Sequence, residues 1–145
     1  MKISTRVRYG LRMMIELAMS ATKEYIPLSK IAENQNISPK YLKQISLVLE
    51  NYGLVKSMRG IGGGYKLSRP PEEITAHEIV EALMGKIEVV DCVSAPELCE
   101  LSKKCAAREV WVEISEAVSR LLKEKTLKEL ADRQKELLKE VNFDV

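Results

Sequence analysis

Three cysteines, Cys92, Cys99 and Cys105, fall in one stretch with six and five residues between them, and the chain has no others. Thiolates ligate soft metals and iron–sulfur clusters, and paired thiols exchange electrons by forming a disulfide. Cysteines used only for packing scatter over apolar faces. These three share their segment with Asp91, Pro96, Glu97, Glu100, Lys103 and Lys104, the composition of a loop. With no histidine nearby, three thiols leave a four-ligand site one ligand short. An iron–sulfur cluster, a zinc ion at a three-cysteine site, a disulfide switch and a loop without metal are the readings the residues leave open.

A chain of 145 residues makes one domain, or one small domain with an appendage. No apolar run approaches about 18 residues, the length of a membrane span. The N-terminal Met-Lys-Ile-Ser-Thr-Arg has no apolar signal region, so the reading is cytoplasmic. In a reducing compartment an odd cysteine count favours metal over structural disulfides. Charge is divided along the chain. Residues 1–70 hold 12 Lys and Arg against 4 Asp and Glu, a net of +8; residues 71–145 hold 11 against 17, a net of −6. The first half suits a polyanion and the second another task. A single histidine, no paired carboxylate motif and no nucleotide loop argue against an enzyme.

The elements that must carry these residues follow from periodicity. Residues 5–21 read as a helix with Val7, Leu11, Met14, Ile15 and Ala18 on one face. A short second helix spans 29–35. Ser38 as N-cap and Pro39 at the first helical position open a third, whose apolar Leu42, Ile45 and Leu49 face inward and which stops near Gly53. Residues 54–59 and 65–67 read as strands of a hairpin with a glycine-rich tip. Thr75 and Glu78 form a capping box for a fourth helix. Residues 85–104 show no period; 106–123 is a long amphipathic helix striped by Val110, Ile114, Val118 and Leu121. Thr126 and Glu129 cap a last one. The expected fold is mainly α with a small β-hairpin. It divides into a winged helix-turn-helix at 1–84, a cysteine loop at 85–105, and dimerisation and C-terminal helices at 106–145.

Three helices followed by a glycine-tipped hairpin is the winged helix-turn-helix order, in which the third helix enters a DNA major groove N-terminus first. That end carries Ser38, Lys40, Tyr41, Lys43 and Gln44. Glutamine pairs with adenine, and lysine reaches guanine or a phosphate. The run Gly60-Ile61-Gly62-Gly63-Gly64 is followed by Tyr65 and a strand, not by the Gly-Lys-Ser/Thr and helix of a nucleotide loop. A thin tip of this kind, with Arg59 at its base, fits beside a phosphate or into a minor groove, which makes Arg59, Gly60, Gly62, Gly63, Gly64 and Tyr65 candidate DNA contacts. Arg6, Arg8 and Lys56 are candidate phosphate contacts.

Tyr9-Gly10-Leu-Arg, Ile31-Ala-Glu, Ile37-Ser38, Tyr41-Leu42-x-Gln44, Gly53-Leu54-Val55 and Arg59-Gly60-x-Gly62-Gly63-Gly64-Tyr65-x-Leu67 resemble the IscR/NsrR/CymR-type family of bacterial winged-helix regulators. The three-cysteine loop followed by Trp111 is similar to its cluster-binding members. The resemblance implies a repressor-like transcriptional regulator. It implies a homodimer joined through residues 106–123 that binds an imperfect palindrome in double-stranded DNA. It also implies an iron–sulfur cluster, 2Fe–2S or 4Fe–4S, on Cys92, Cys99 and Cys105. Two family ligand positions depart: the histidine three residues after the last cysteine is here Arg108, and the first-helix aspartate of the nitric-oxide-sensing members aligns with Arg8. Neither arginine can ligate. Glu109, one residue beyond, is the first candidate for a fourth ligand, ahead of Glu100, Asp91, a water, a small thiol or a partner carboxylate; His77, on the fourth helix, reads as an exposed non-ligand. Control by a protein partner without a cluster, and an iron–sulfur carrier, are the other readings.

Overall fold

The computed structural model describes residues 1–20 and 24–143. Six helices and one hairpin follow in the expected order: α1 Thr5–Met19, α2 Leu28–Gln35, α3 Pro39–Asn51, β1 Val55–Met58, β2 Gly64–Leu67, α4 Ala76–Met84, α5 Ala106–Glu124 and α6 Leu127–Phe143. Ala21, the expected end of the first helix, lies outside the described residues. Ser4 caps α1, its hydroxyl accepting from Val7 N at 3.3 Å. The buried face of α1 is wider than its stripe suggested: Val7, Met13, Met14 and Leu17 are buried, whereas Leu11, Ile15 and Ala18 are only packed against the core. The reason is that α1 touches α3, α4 and α6 at once.

α2 ends where Asn36 adopts the left-handed conformation (φ 53°), which turns the chain sharply into the Ser38–Pro39 start of α3. Ser38 Oγ accepts from Tyr41 N, as an N-cap should, and Leu42, Ile45, Ser46 and Leu49 go into the core. β1 and β2 pair antiparallel with Val55 opposite Leu67 and Ser57 opposite Tyr65. A further pairing has no local signature: Ile26, in the connection to α2, bridges to Tyr65, each N–H donating to the other's carbonyl at 2.8 Å. Gly64 makes this possible. Its φ of 146° is one L side chains rarely adopt, and a Cβ there would overlap the Ile26 carbonyl.

Both capping boxes are formed. Glu78 N donates to Thr75 Oγ1 and Thr75 N donates to Glu78 Oε2, at 3.2 and 3.0 Å; Thr126 and Glu129 repeat the exchange at the head of α6. The last segment does not stand apart as a separate unit. Leu127 is wholly buried and Ala131 nearly so, Leu127 N donates to Ile74 O, and α6 lies along α1. Residues 127–131 therefore complete the core of the first segment.

Glu78 also accepts from Arg69 Nη2 at 2.6 Å. Burial pushes its carboxyl up, but the Thr75 amide and the Arg69 guanidinium together outweigh burial and hold it below the usual glutamate range. A depressed carboxylate contributes stability that is present above the unfolded value, about 4.3, and lost as pH falls through the lower folded value. Glu78→Gln should lower stability at neutral pH and flatten its acid limb, as read by denaturant unfolding at stepped pH; an acid limb identical to that of the parent protein would remove Glu78 from the account.

Candidate nucleic-acid interface and cysteine loop

The N-terminal half of α3 presents Lys40, Lys43 and Gln44 to solvent, beside the exposed cap Ser38. Tyr41 is half-buried, its ring edge-on to Tyr9 of α1 at 5.9 Å. Arg8 and Arg12 stand 5.9 and 5.4 Å from the Tyr9 ring, so a short cationic–aromatic stack ties α1 to the start of α3. Arg6 and Arg8 are exposed on the first turns of α1, and Lys56 and Arg59 are exposed on the hairpin. Among the described residues, none of Arg6, Arg8, Lys40, Lys43, Lys56 and Arg59 lies in an ion pair with a carboxylate; the pairs formed use Arg69, His77, Lys128 and Arg133. Unneutralised cations around an exposed helix form a field for a polyanion.

At the wing, Gly60 and Gly62 are exposed with positive φ (92° and 77°), while Gly63 and Gly64 are half-buried against backbone. Ile61 projects wholly into solvent at the tip, a position the sequence reading passed over. One expected surface residue is not on the surface. Tyr65 is 3% exposed, because the residue opposite Ser57 on the hairpin turns inward under α3. Its hydroxyl receives a hydrogen bond from Lys43 Nζ at 2.8 Å and lies 3.0 Å from Ser46 Oγ. Tyr65 thus belongs to the support of the recognition helix and not to its exposed face.

The cysteine loop is a chain of three single 3-10 turns, Asp91–Val93, Pro96–Leu98 and Ser102–Lys104. Cys92 is half-buried in the first, Cys99 is exposed after the second, and Cys105 is half-buried at the head of α5. There its sulfur acts as N-cap, accepting from Arg108 N at 3.3 Å. The Arg108 side chain folds back over the loop: Nε donates to Cys92 O at 2.8 Å and Nη2 to Val93 O at 3.2 Å. Farther along α5, buried Ser115 accepts from Val89 N at 3.1 Å. Arg108 and Ser115 therefore clamp the start of the loop to α5.

No three Cys, His, Asp or Glu side chains among the described residues come together in a way that could hold a metal ion. The three thiols have the right chemistry for an iron–sulfur cluster, but in this structure they do not stand together as one donor set. Where the related histidine would stand, a guanidinium already donates to loop carbonyls. Glu109 is exposed on α5 and joins no donor group. His77, expected exposed, is largely covered, with Nδ1 3.8 Å from Glu81 Oε2, and likewise joins none.

A capped, basic recognition helix backed by a glycine-tipped wing defines a winged helix-turn-helix DNA-binding protein. The chain belongs to the Rrf2 family, described as iron-dependent transcriptional regulators, whose model matches residues 3–133. It is 44% identical over 131 residues to the HTH-type transcriptional regulator CymR of Bacillus subtilis, covering 90% of each chain. The solved structure of CymR, the global cysteine regulator of B. subtilis, superposes with a TM-score of 0.76 at 42% identity, over 92% of this chain and 98% of that one. That of T. potens IscR does so at 0.73 and 32%, over 92% and 88%. The chain is thus a transcriptional regulator and not an enzyme, and no helix among its described residues is long and apolar enough to cross a membrane.

Arg108 is the side chain on which the loop's docking turns. Hydrogen bonds from a charged donor contribute roughly 1.5–3 kcal/mol each when removed from a covered site. Arg108→Met should raise amide exchange at Val93 and Ala95 by ~10-fold or more and leave the amides of α3 as they were. Unchanged exchange in the loop would show that the clamp lies elsewhere.

Proposed function

We propose that this regulator is a homodimeric repressor that binds an imperfect palindrome in double-stranded DNA and that its cysteine loop is the input. The observation that carries the DNA reading is the exposed Lys40, Lys43 and Gln44, the two lysines in no ion pair with a carboxylate, on the first half of a helix whose opposite face is the core. Gln44 has the amide to pair with adenine in the major groove, and Lys40 and Lys43 the donors for guanine or phosphate. Arg6, Arg8, Lys56 and Arg59 neutralise flanking phosphates, and the glycine tip lets the wing lie close to the backbone.

The dimer reading rests on α5. Val110, Trp111, Ile114 and Leu121 are exposed and Val118 half-buried, a long apolar stripe that this chain leaves uncovered. A second copy related by a two-fold axis covers it and sets two recognition helices about one DNA turn apart. The same helix carries the loop, so a change at the thiols acts on the element that spaces the heads.

For the loop itself, control without a cluster is the reading favoured: the three thiols form no common donor set, Cys99 is open to solvent, and a relative 44% identical is CymR, whose solved structure is named as that of the global cysteine regulator. Ligation of an iron–sulfur cluster by Cys92, Cys99 and Cys105 is the second reading, favoured by the family's description as iron-dependent. Iron and acid-labile sulfide in anaerobically purified protein separate the two, and Cys→Ala at each position tests the second.

Gln44→Ala should weaken binding to the preferred site by about 1–3 kcal/mol while sparing random DNA. Lys56→Ala should instead weaken all sequences alike and lower the salt slope by about 1. Equal affinity of the unsubstituted protein for specific and random duplexes would end the sequence-specific reading. Ile114→Glu should give a monomer in light scattering; a monomeric mass for the parent protein at micromolar concentration would contradict the dimer.

A further inference from the structure

We infer that Tyr65, a buried residue of the wing, is a positioning residue that presets Lys43 of the recognition helix for base recognition. The inference rests on the proposed DNA-reading role of α3. Its geometry is a closed circuit of three side chains. Lys43 Nζ stands 2.8 Å from Tyr65 Oη, Tyr65 Oη 3.0 Å from Ser46 Oγ, and Ser46 Oγ 2.7 Å from the Lys43 carbonyl. The protons have only one consistent arrangement. The ammonium has no lone pair, so it donates to Tyr65. The lone Ser46 proton is needed by the Lys43 carbonyl, which accepts only. The Tyr65 proton therefore goes to Ser46 Oγ. The chain of donors leaves Lys43 by its side chain and returns to it by its backbone.

Every member is fixed from behind. Ser46 is completely buried, one turn beyond Lys43 on α3. The Tyr65 ring lies in the core, and its backbone is held by both hydrogen bonds to Ile26. Lys43, by contrast, is exposed, and its ammonium forms no other hydrogen bond among the described residues. One of its three N–H groups is committed to Tyr65 and two remain for acceptors on DNA. A free lysine stem would have to be ordered on binding; here the wing has ordered it beforehand. Sequence discrimination at the base facing Lys43 then depends on a hydroxyl that never touches DNA. Phenylalanine in place of Tyr65 keeps the ring and loses only the circuit.

The test is a double-mutant cycle on Tyr65→Phe and Lys43→Ala, using the best-binding duplex from an in-vitro selection and a random duplex of equal length, with thermal melts confirming that each variant is folded. The readout is the ratio of the two affinities. Immobilising one such side chain corresponds to roughly 3- to 10-fold in affinity. Tyr65→Phe should lower the ratio by about that factor with the salt slope unchanged, and should lower it no further when Lys43 is already alanine. A ratio unaffected by Tyr65→Phe while Lys43→Ala lowers it overturns the inference and leaves the reading of α3 standing. An equal loss from Tyr65→Phe in both backgrounds overturns it too, because tyrosine would then act through the fold. No effect of Lys43→Ala overturns the reading of Lys43 as a base contact, and the inference with it.

Discussion

The hairpin is fastened to the helical body by a backbone clasp, and the surface proposed to face DNA depends on it. Ile26 and Tyr65 exchange both of their backbone hydrogen bonds, and Gly64 is the residue that lets the two strands of chain come that close. With the clasp in place the Tyr65 ring enters the core beneath α3 and its hydroxyl sits among Ser46 and Lys43. The wing and the recognition helix are then joined through side chains as well as backbone. A two-stranded hairpin alone is marginal in water, so a wing of two four-residue strands needs such an anchor to hold any fixed position.

α5 is held at both ends. At its head Cys105 caps the helix and Arg108 and Ser115 grip the loop. At its tail the Lys125 carbonyl accepts from Ala76 N, Thr126 bridges to Thr75, and Leu127 is buried in the core beside α4. α5 and α6 are thus wired to the helical body through the start of α4, not merely appended to it. Any modification or ligation of Cys105 competes with its capping of Arg108 N, so chemistry at that sulfur and the first turn of α5 are coupled by a shared atom. That coupling requires no particular cofactor.

Local chemistry was legible in the residues. The Ser38–Pro39 start, the two Thr–Glu capping boxes and the glycine tip all form as their spacing dictates, because each is decided by neighbours within four positions. That Arg108 is no ligand was legible too, from its guanidinium, which has no lone pair to offer. What periodicity could not carry is set by distant partners. Tyr65 lies in a motif that reads as surface, yet it is buried because Ile26, far back in the chain, pulls its strand inward. α6 returns along α1 and buries Leu127 and Ala131, and no local pattern announces that return. The cysteines are close in sequence but do not form one donor set with one another or with a carboxylate or histidine, and each lies at a different tight turn or helix end.

The central claim is that the exposed half of α3, held by the wing, reads DNA sequence as a two-fold pair. Selection of duplexes from a random library by the purified protein, followed by sequencing, tests it most directly. The account predicts enrichment of an inverted repeat whose half-sites are centred about 10–10.5 base pairs, or a multiple of that, apart. Failure to enrich any sequence, or enrichment of a motif with no two-fold symmetry, would contradict it.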